Sequence, residues 1–136
     1  MARIVLTNAY VTINSVDVSD HVASVTLNSS IDVVETTAFS STAARTRIGG
    51  LADNSITLEF HQDYASGSIE ATIYPLLGTT TSVVVKPNGT STSATNPSYT
   101  ATALVSEWTP LNGAVGELAT ASVTWPVSGA ITKATA

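Results

Sequence analysis

The chain contains no cysteine among its 136 residues. This absence excludes a disulfide framework, cysteine-ligated zinc, iron–sulfur clusters and a thiol nucleophile. Charged residues are also scarce, at 11% of the chain against ~25% in a typical soluble domain. Only five residues are Lys or Arg. Because binding to phosphates depends on those cations, the shortage argues against a nucleic-acid-binding protein.

Long hydrophobic runs are missing as well. No stretch approaches the ~18 consecutive apolar residues of a membrane-spanning helix. The apolar run at residues 4–6 is too short for the hydrophobic region of a signal peptide. We therefore expect a protein made and folded in a cytoplasm, with no membrane partner.

What the chain does contain is apolar residues and hydroxyls. Hydrophobic residues make up 43% of the sequence, and Ser and Thr together make up about 29%. The formal net charge is −5. This composition can build a core, and the length fits one domain over residues 1–136. A surface poor in charge and rich in Thr is typical of β proteins that stand in an assembly or face the outside.

Alternation of apolar and polar residues predicts a mainly β protein. In residues 55–61, Ile56, Leu58 and Phe60 share one face, as in a half-buried strand. Near the C-terminus, Trp125 continues the apolar face of a strand at residues 119–127, which favours core packing over stacking on a sugar. Weaker alternation predicts further strands at residues 3–7, 9–14, 22–29, 31–37, 82–87 and 98–108.

One segment has the period of a helix instead. Its apolar residues recur at i, i+4, i+7 and i+8, and they are Ile69, Ile73, Leu76 and Leu77. Ser66 or Ser68 can cap the start of this helix, and Gly78 can end it. Pro75 removes a backbone donor, so we expect a short helix with a distorted last turn.

Two segments are predicted to be loops, at residues 38–54 and 88–98. The second is polar almost throughout. The first is longer than the ~12–15 residues usual for a loop without a function, and Gly49 and Gly50 within it indicate a turn with positive φ. It nevertheless carries Phe39, Ile48 and Leu51. A long loop with apolar residues needs a surface to pack on, and in a small domain another subunit can supply it.

No catalytic, metal or cofactor site is predicted. His61 lies two residues from Asp63, and Asp20 precedes His21, but exposed polar residues explain both pairs better than proton transfer does. Asp17, Asp20, Asp32 and Glu35 lack the ligand spacing of a calcium loop. An enzyme is therefore not expected.

Two segments resemble a known family. The run VTINSVDVSDHVASVTL at residues 11–27 resembles an opening common among tail proteins of long-tailed phages. Residues 35–79 are similar to the same family's central segment in the order of their parts: a Thr-Thr-x-Phe step, an Arg-bearing loop, a Gly-Leu-x-Asp turn, a strand ending in Gln-Asp-Tyr, and a helix closing in Pro-Leu-x-Gly. On these phrases the chain resembles a siphovirus tail tube (major tail) protein.

The resemblance implies a β-sandwich or partly closed barrel with one short flanking α-helix and a long extended loop. It implies a structural virion protein that self-assembles into hexameric rings, which stack into a phage tail tube after assembly in the host bacterial cytoplasm. DNA would pass through this tube during ejection without specific binding. The implied partners are further copies of the chain, a tape measure protein and the proteins at the tail ends.

Contacts between subunits in this family are made largely by extended loops and termini. The resemblance therefore implies a subunit-interface loop formed by Phe39, Ala43, Ala44, Arg45, Arg47, Ile48, Gly50, Leu51 and Asp53. An acidic lumen would repel phosphates and let DNA slide. The candidate lumen acids are Asp17, Asp20, Glu59 and Asp63.

Two other interpretations stay open. One is a different virion component, such as a tail terminator, a minor tail protein or a capsid decoration protein, and only a tube protein should form stacked rings. The other is a carbohydrate-binding β-sandwich module, which should expose aromatic residues for stacking on sugars.

Overall fold

A computed structural model of the chain describes residues 3–39 and 42–136. Ser40 and Ser41, in the predicted interface loop, lie outside the described residues. In chain order, the elements of this part are β1 (Tyr10–Ile13), β2 (Val16–Asp17), a 3₁₀ turn (Ser19–His21), β3 (Val22–Glu35), β4 (Arg47–His61), α1 (Ile69–Ile73), a second 3₁₀ turn (Tyr74–Leu76), β5 (Thr80–Lys86), β6 (Ser98–Leu104), β7 (Thr120–Val127) and β8 (Thr132–Ala134).

The strands form one antiparallel sheet in the order β2-β1-β5-β6-β7-β4-β3, and β8 pairs with β6. The sheet does not close, because β2 and β3 at its two ends are not paired with each other. The predicted mainly β fold with one short helix is confirmed.

Alternate residues of the strands build the core, as the sequence pattern predicts. On β4, Ile56, Leu58 and Phe60 are fully buried, and the helix adds Ile69 and Ile73. Two tryptophans complete this core. Trp125 has no exposed surface and donates its indole N–H to the Glu107 carbonyl at 2.8 Å. Trp108 meets the Phe60 ring edge-on at 5.6 Å and donates to the Glu70 carboxylate.

The largest correction concerns residues 38–54. The sequence predicts a loop there, but residues 47–54 belong to β4 and pair with β3. The connecting segment is only residues 36–46. This end of β4 has no core beneath it, so the apolar–polar alternation that predicts a strand is absent from its sequence. Pairing with β-branched residues of β3, such as Ile31 and Val33, replaces that signal.

Three smaller expectations also change. Residues 3–7 form no strand, because no neighbouring strand pairs with them in the described part of the chain. The strand predicted over residues 98–108 ends at Leu104, although Val105 and Trp108 beyond it are still buried. Gly49 and Gly50 lie within β4 and are not among the residues with positive φ, so the predicted turn there is wrong.

The predicted helix is confirmed, together with its distorted end. It runs over Ile69–Ile73 and tightens into a 3₁₀ turn that contains Pro75. Gly78 follows with a φ of +86° and ends the segment. Ser68 stands at the N-cap, but its hydroxyl donates to the Asp63 carboxylate at 2.8 Å in place of capping the helix. No helix in residues 3–39 and 42–136 has the length and apolar character to cross a bilayer.

The burial of Trp125 predicts a large loss of stability on truncation. Trp125→Ala should lower the free energy of unfolding by about 3–5 kcal/mol, because it leaves a cavity in the centre of the core. Denaturant unfolding measures the effect. Leu111→Ala, at an exposed position, is the control and should change the value by less than about 0.5 kcal/mol. A loss below about 1 kcal/mol for Trp125→Ala would contradict the assignment.

Candidate self-association surface

The outer half of the β3–β4 hairpin projects without a core. Its strand residues are 31–35 of β3 and 47–53 of β4, and all of them are exposed. Apolar side chains are nevertheless common here: Val33 is 69% exposed and Leu51 is 80% exposed. Scattered exposed apolar residues are ordinary, but a contiguous group of them marks an interaction site. We call residues 31–39 and 42–53 of this hairpin the projecting hairpin.

Both faces of the projecting hairpin carry exposed apolar side chains. Residues directly opposite in an antiparallel pair share a face, and successive residues alternate between faces. Val34 lies opposite Ile48 on one face, while Ile31 and Val33 lie on the other. A hairpin that is apolar on both sides can be covered on both sides by other molecules.

A β-bulge and two glycines shape this ribbon. The register with β4 shifts between Ile31 and Val33, which adds a local twist. A Cβ on Gly50 would come within 2.8 Å of the Val34 side chain, and one on Gly49 within 3.2 Å of Ile31. The glycines therefore serve close packing of neighbouring side chains across the two strands.

The tip is closed by polar contacts. Thr36 and Thr46 join through a backbone hydrogen bond of 2.8 Å and a hydroxyl contact of 2.9 Å. Arg45 lies 3.9 Å from Glu35, an exposed ion pair that contributes little to stability. Phe39 extends from this tip with its whole side chain in solvent.

The predicted interface residues fall into two groups on this hairpin. Phe39, Ala43, Ala44 and Arg45 lie in the tip, whereas Arg47, Ile48, Gly50, Leu51 and Asp53 lie on β4. All nine are exposed. The structure thus brings them onto one projecting element, which is a strand ribbon with a short tip and not the long loop expected from the sequence.

The sequence pattern does not predict a second exposed apolar segment. Residues 109–118 lie within the connection from β6 to β7 and expose Leu111, Val115 and Leu118. Their base is held firmly, because Gln62 and Tyr64 both donate to the Pro110 carbonyl. The apolar content of this segment was a usable signal, but it follows no strand or helix period.

The candidate lumen acids occupy different environments. Asp17 accepts from the backbone N–H and the hydroxyl of Ser19 and so supports a turn. Asp20 is exposed, with an oxygen 3.4 Å from the imidazole of His21. Glu59 is exposed on β4. These acids do not form a single cluster, and no group of metal-ligating side chains is found within the described ranges.

Glu59 stands among hydroxyls on the sheet surface that faces away from the core. This surface, which we call the hydroxyl face, is formed by Ser24, Thr26, Asn28, Ser55, Thr57, Glu59, Ser122 and Thr124 of strands β3, β4 and β7. The hydroxyls of Thr57 and Thr124 lie 3.2 Å apart across the β4–β7 pair. The result is a polar surface with one carboxylate in it.

Asp63 is engaged in holding the fold. The Ala65 N–H and the Ser68 hydroxyl donate to its carboxylate, and the His21 Nε2 lies 2.9 Å away. These hydrogen bonds, led by that from Ala65, lower the pKa of Asp63 below its ordinary value near 3.8. The acid that the sequence placed beside His61 therefore contacts His21, and it ties the turn before β3 to the entry of α1.

No family model and no curated protein sequence matches the chain. Solved structures share its fold. A chain of the virion of a native gene transfer agent particle has a TM-score of 0.74 and 11% identity, over 93% of this chain and 95% of that one. A chain of an extracellular contractile injection system, the PVC sheath–tube complex in its extended state, has a TM-score of 0.71 and 10% identity, over 98% and 93%. A chain of the C6-symmetric tail of an empty gene transfer agent particle has a TM-score of 0.65 and 14% identity, over 82% and 81%. These likenesses confirm the fold that the sequence resemblance implies.

The lowered pKa of Asp63 predicts a pH-dependent contribution to stability. The ionised carboxylate stabilises the folded state above its unfolded pKa, and that contribution is lost as the pH falls through the lower folded value. Asp63→Asn should therefore melt below the wild type at pH 7, and the gap should shrink as the pH falls below about 4. Ser68→Ala, which removes one donor, should show a smaller effect of the same sign. A difference in melting temperature between the wild type and Asp63→Asn that stays the same at every pH would contradict this.

Proposed function

We propose that the protein is a structural virion component that self-assembles into stacked hexameric rings and forms a tail tube through which DNA is ejected. The observation that carries this proposal is the fold, which is shared over nearly the whole chain with components of a gene transfer agent virion and of a sheath–tube complex. The C6 symmetry of the gene transfer agent tail supports six copies per ring. The tape measure and tail-end proteins would be its other partners.

The projecting hairpin supports self-association on physical grounds. An exposed two-stranded ribbon with apolar side chains on both faces is an aggregation risk in a monomer. In an assembly the same side chains become buried contacts, each contributing favourable apolar burial. The nine predicted interface residues on this hairpin are therefore proposed to contact neighbouring copies.

The hydroxyl face is proposed to line the lumen. Six copies at −5 each give a ring with a formal charge of −30, and a negative channel repels phosphates. Glu59 stands on this face, and Asp17 and Asp20 lie near the start of β3. Asp63 is the weakest of the four candidates, because its carboxylate is already engaged by Ala65, Ser68 and His21.

Two alternatives are less well supported. Another virion component would share the fold, and it is separated from a tube protein by whether the purified chain forms rings and tubes. A sugar-binding module needs exposed aromatic platforms, but Trp108 and Trp125 are both buried.

Charging the projecting hairpin should abolish assembly without unfolding the protein. In the double variant Val33→Glu and Leu51→Glu, two exposed apolar side chains become carboxylates that would be buried at the proposed contact. We expect a wild-type melting temperature and no rings or tubes by negative-stain microscopy. The matched control, Ser91→Glu with Thr95→Glu in the polar loop, should assemble normally. Unaltered tubes from the hairpin variant would refute its role.

Reversing the charge of the hydroxyl face should make the tubes bind DNA. Glu59→Lys changes a ring of six copies by twelve charges, so short double-stranded DNA should co-sediment with tubes of this variant at low salt and be released as the salt concentration rises. Wild-type tubes should leave the DNA in the supernatant, and Glu59→Gln should behave as an intermediate. Equal DNA retention by all three would place Glu59 outside the channel.

A further inference from the structure

The most exposed aromatic side chain of the described chain is Phe39, at the tip of the projecting hairpin. It is preceded by Thr36 and Thr37, which fix the base of the tip through hydrogen bonds to Thr46. A phenyl ring held out on an anchored tip loses little conformational freedom when it is buried, because the ring has few rotatable bonds. Such a residue is suited to act as an anchor for a partner.

An apolar pocket of about 170 Å³ lies beside the inner half of β3. It opens between the inner half of β3 and strands β5 and β6, where the sheet fails to close. Its apolar lining, which defines what we call the Tyr99 pocket, is formed by Leu6, Val25, Leu27, Val85, Pro87 and Tyr99. An apolar cavity of about 150 Å³ in another protein holds a benzene ring, so this pocket has room for a phenyl group.

Phe39 cannot reach the Tyr99 pocket of its own chain. Leu27 lines that pocket, and β3 runs on from Leu27 to Glu35 at its far end. Eight extended residues cover about 26 Å, and Phe39 lies four residues further along. The outer half of β3 thus separates the ring from the pocket, and only a second copy can bring them together.

Charge at the two ends is compatible with this contact. Lys133 lines the cleft that adjoins the pocket, and Lys86 lines the pocket itself, although its ammonium already donates to the Thr90 carbonyl and lies over the Tyr10 ring. Glu35 lies at the end of β3 beside the tip. The Glu35 carboxylate accepts a hydrogen bond from the Thr37 hydroxyl at 3.0 Å and lies 3.9 Å from Arg45, but half of its side chain is exposed. It therefore remains able to pair with a lysine of a neighbouring molecule.

We propose that Phe39 of one copy inserts into the Tyr99 pocket of the next copy. This proposal rests on the proposed self-assembly and names the surface that receives the tip. One anchor and one pocket per chain, placed far apart, make a head-to-tail contact, which propagates from copy to copy and does not close a simple dimer. Within a ring such a contact closes on itself, whereas between stacked rings it leaves free anchors at one end of the tube and empty pockets at the other.

Cysteine cross-linking tests the contact directly, because the natural chain has no cysteine. Phe39→Cys and Leu27→Cys proteins are purified separately, mixed well above the concentration at which the wild type assembles, because Phe39→Cys lacks the anchor ring, and then oxidised. We expect a disulfide-linked band at twice the 14.0 kDa chain mass that contains one chain of each variant, as shown by mass spectrometry of the peptide joining positions 39 and 27. The control mixture pairs Val115→Cys, which is equally exposed, with Leu27→Cys and should give no such band.

The energetic test uses truncation of the anchor. Phe39→Ala should raise the protein concentration at which assembly begins by at least about tenfold, as expected for the loss of one buried aromatic side chain. Phe39→Leu should fall between that variant and the wild type. The melting temperature of unassembled protein should stay unchanged for both variants, since Phe39 is fully exposed in the single chain.

The outcomes separate this contact from the proposed function. Wild-type assemblies that show no Phe39–Leu27 cross-link, and that form equally well with Phe39→Ala, would overturn the contact and leave the tube intact. Cross-linking of Val5→Cys to Leu27→Cys between copies, in place of Phe39→Cys, would assign the pocket to the N-terminal segment and also overturn it. A wild-type chain that forms no assembly at any concentration would overturn the proposed function itself.

Discussion

The pairing of β3 with β4 is the interaction on which the rest of the molecule depends. The inner half of this pair is fixed by burial, because Leu27 lies opposite Ile56 and the core covers both. The outer half has no such support, and a two-stranded ribbon alone is marginally stable in water. The strand register of the outer half is therefore fixed by the inner half, where the two strands pack on the core. The position of Phe39 at the tip follows from the packing around Ile56, more than twenty ångströms away along the strand.

Two strands of the sheet lack a full strand partner on one side, and only one of these sides is covered. β7 pairs with β6 at Val127 alone. Along the rest of that side the Thr124 N–H donates to the Glu107 carboxylate, the Thr120 N–H donates to the Asn112 carbonyl, and Pro126 has no N–H to offer. This side is thus closed to further strands, as exposed edges in soluble proteins usually are. β3, at the end of the sheet, has no such cover along its inner half among the residues that the structure describes. The uncovered side of the sheet is therefore β3. The apolar pocket lies beside its inner half, and the projecting hairpin begins at its outer half.

The sequence predicts the elements that pack on the core, and it does not predict the elements that lie outside the core. Residues 55–61, Trp125 and the helix were predictable because the core imposes a period on their sequence. The outer half of β4 was not, since its side chains have no buried face to alternate with, and Gly49 and Gly50 look like a turn when their partners on β3 are unknown. The apolar side chains in residues 109–118 were missed for a related reason. These side chains are exposed in the single chain and follow no strand or helix period. A surface that is completed only by another molecule leaves no such period in the sequence.

Some of the few charged side chains of the chain hold the fold together, and others face solvent. Asp17 and Asp63 accept hydrogen bonds that stabilise the turns before β3 and before α1. Glu59 makes no hydrogen bond or ion pair with the residues that the structure describes, and it stands on the hydroxyl face. Burying an unpaired carboxylate in a dry contact is costly, which disfavours this face as an interface core. The projecting hairpin also carries carboxylates, among them Asp32, but its exposed apolar side chains offer buried area that offsets this cost. A tube with the hairpins between subunits and the hydroxyl face toward water satisfies both constraints.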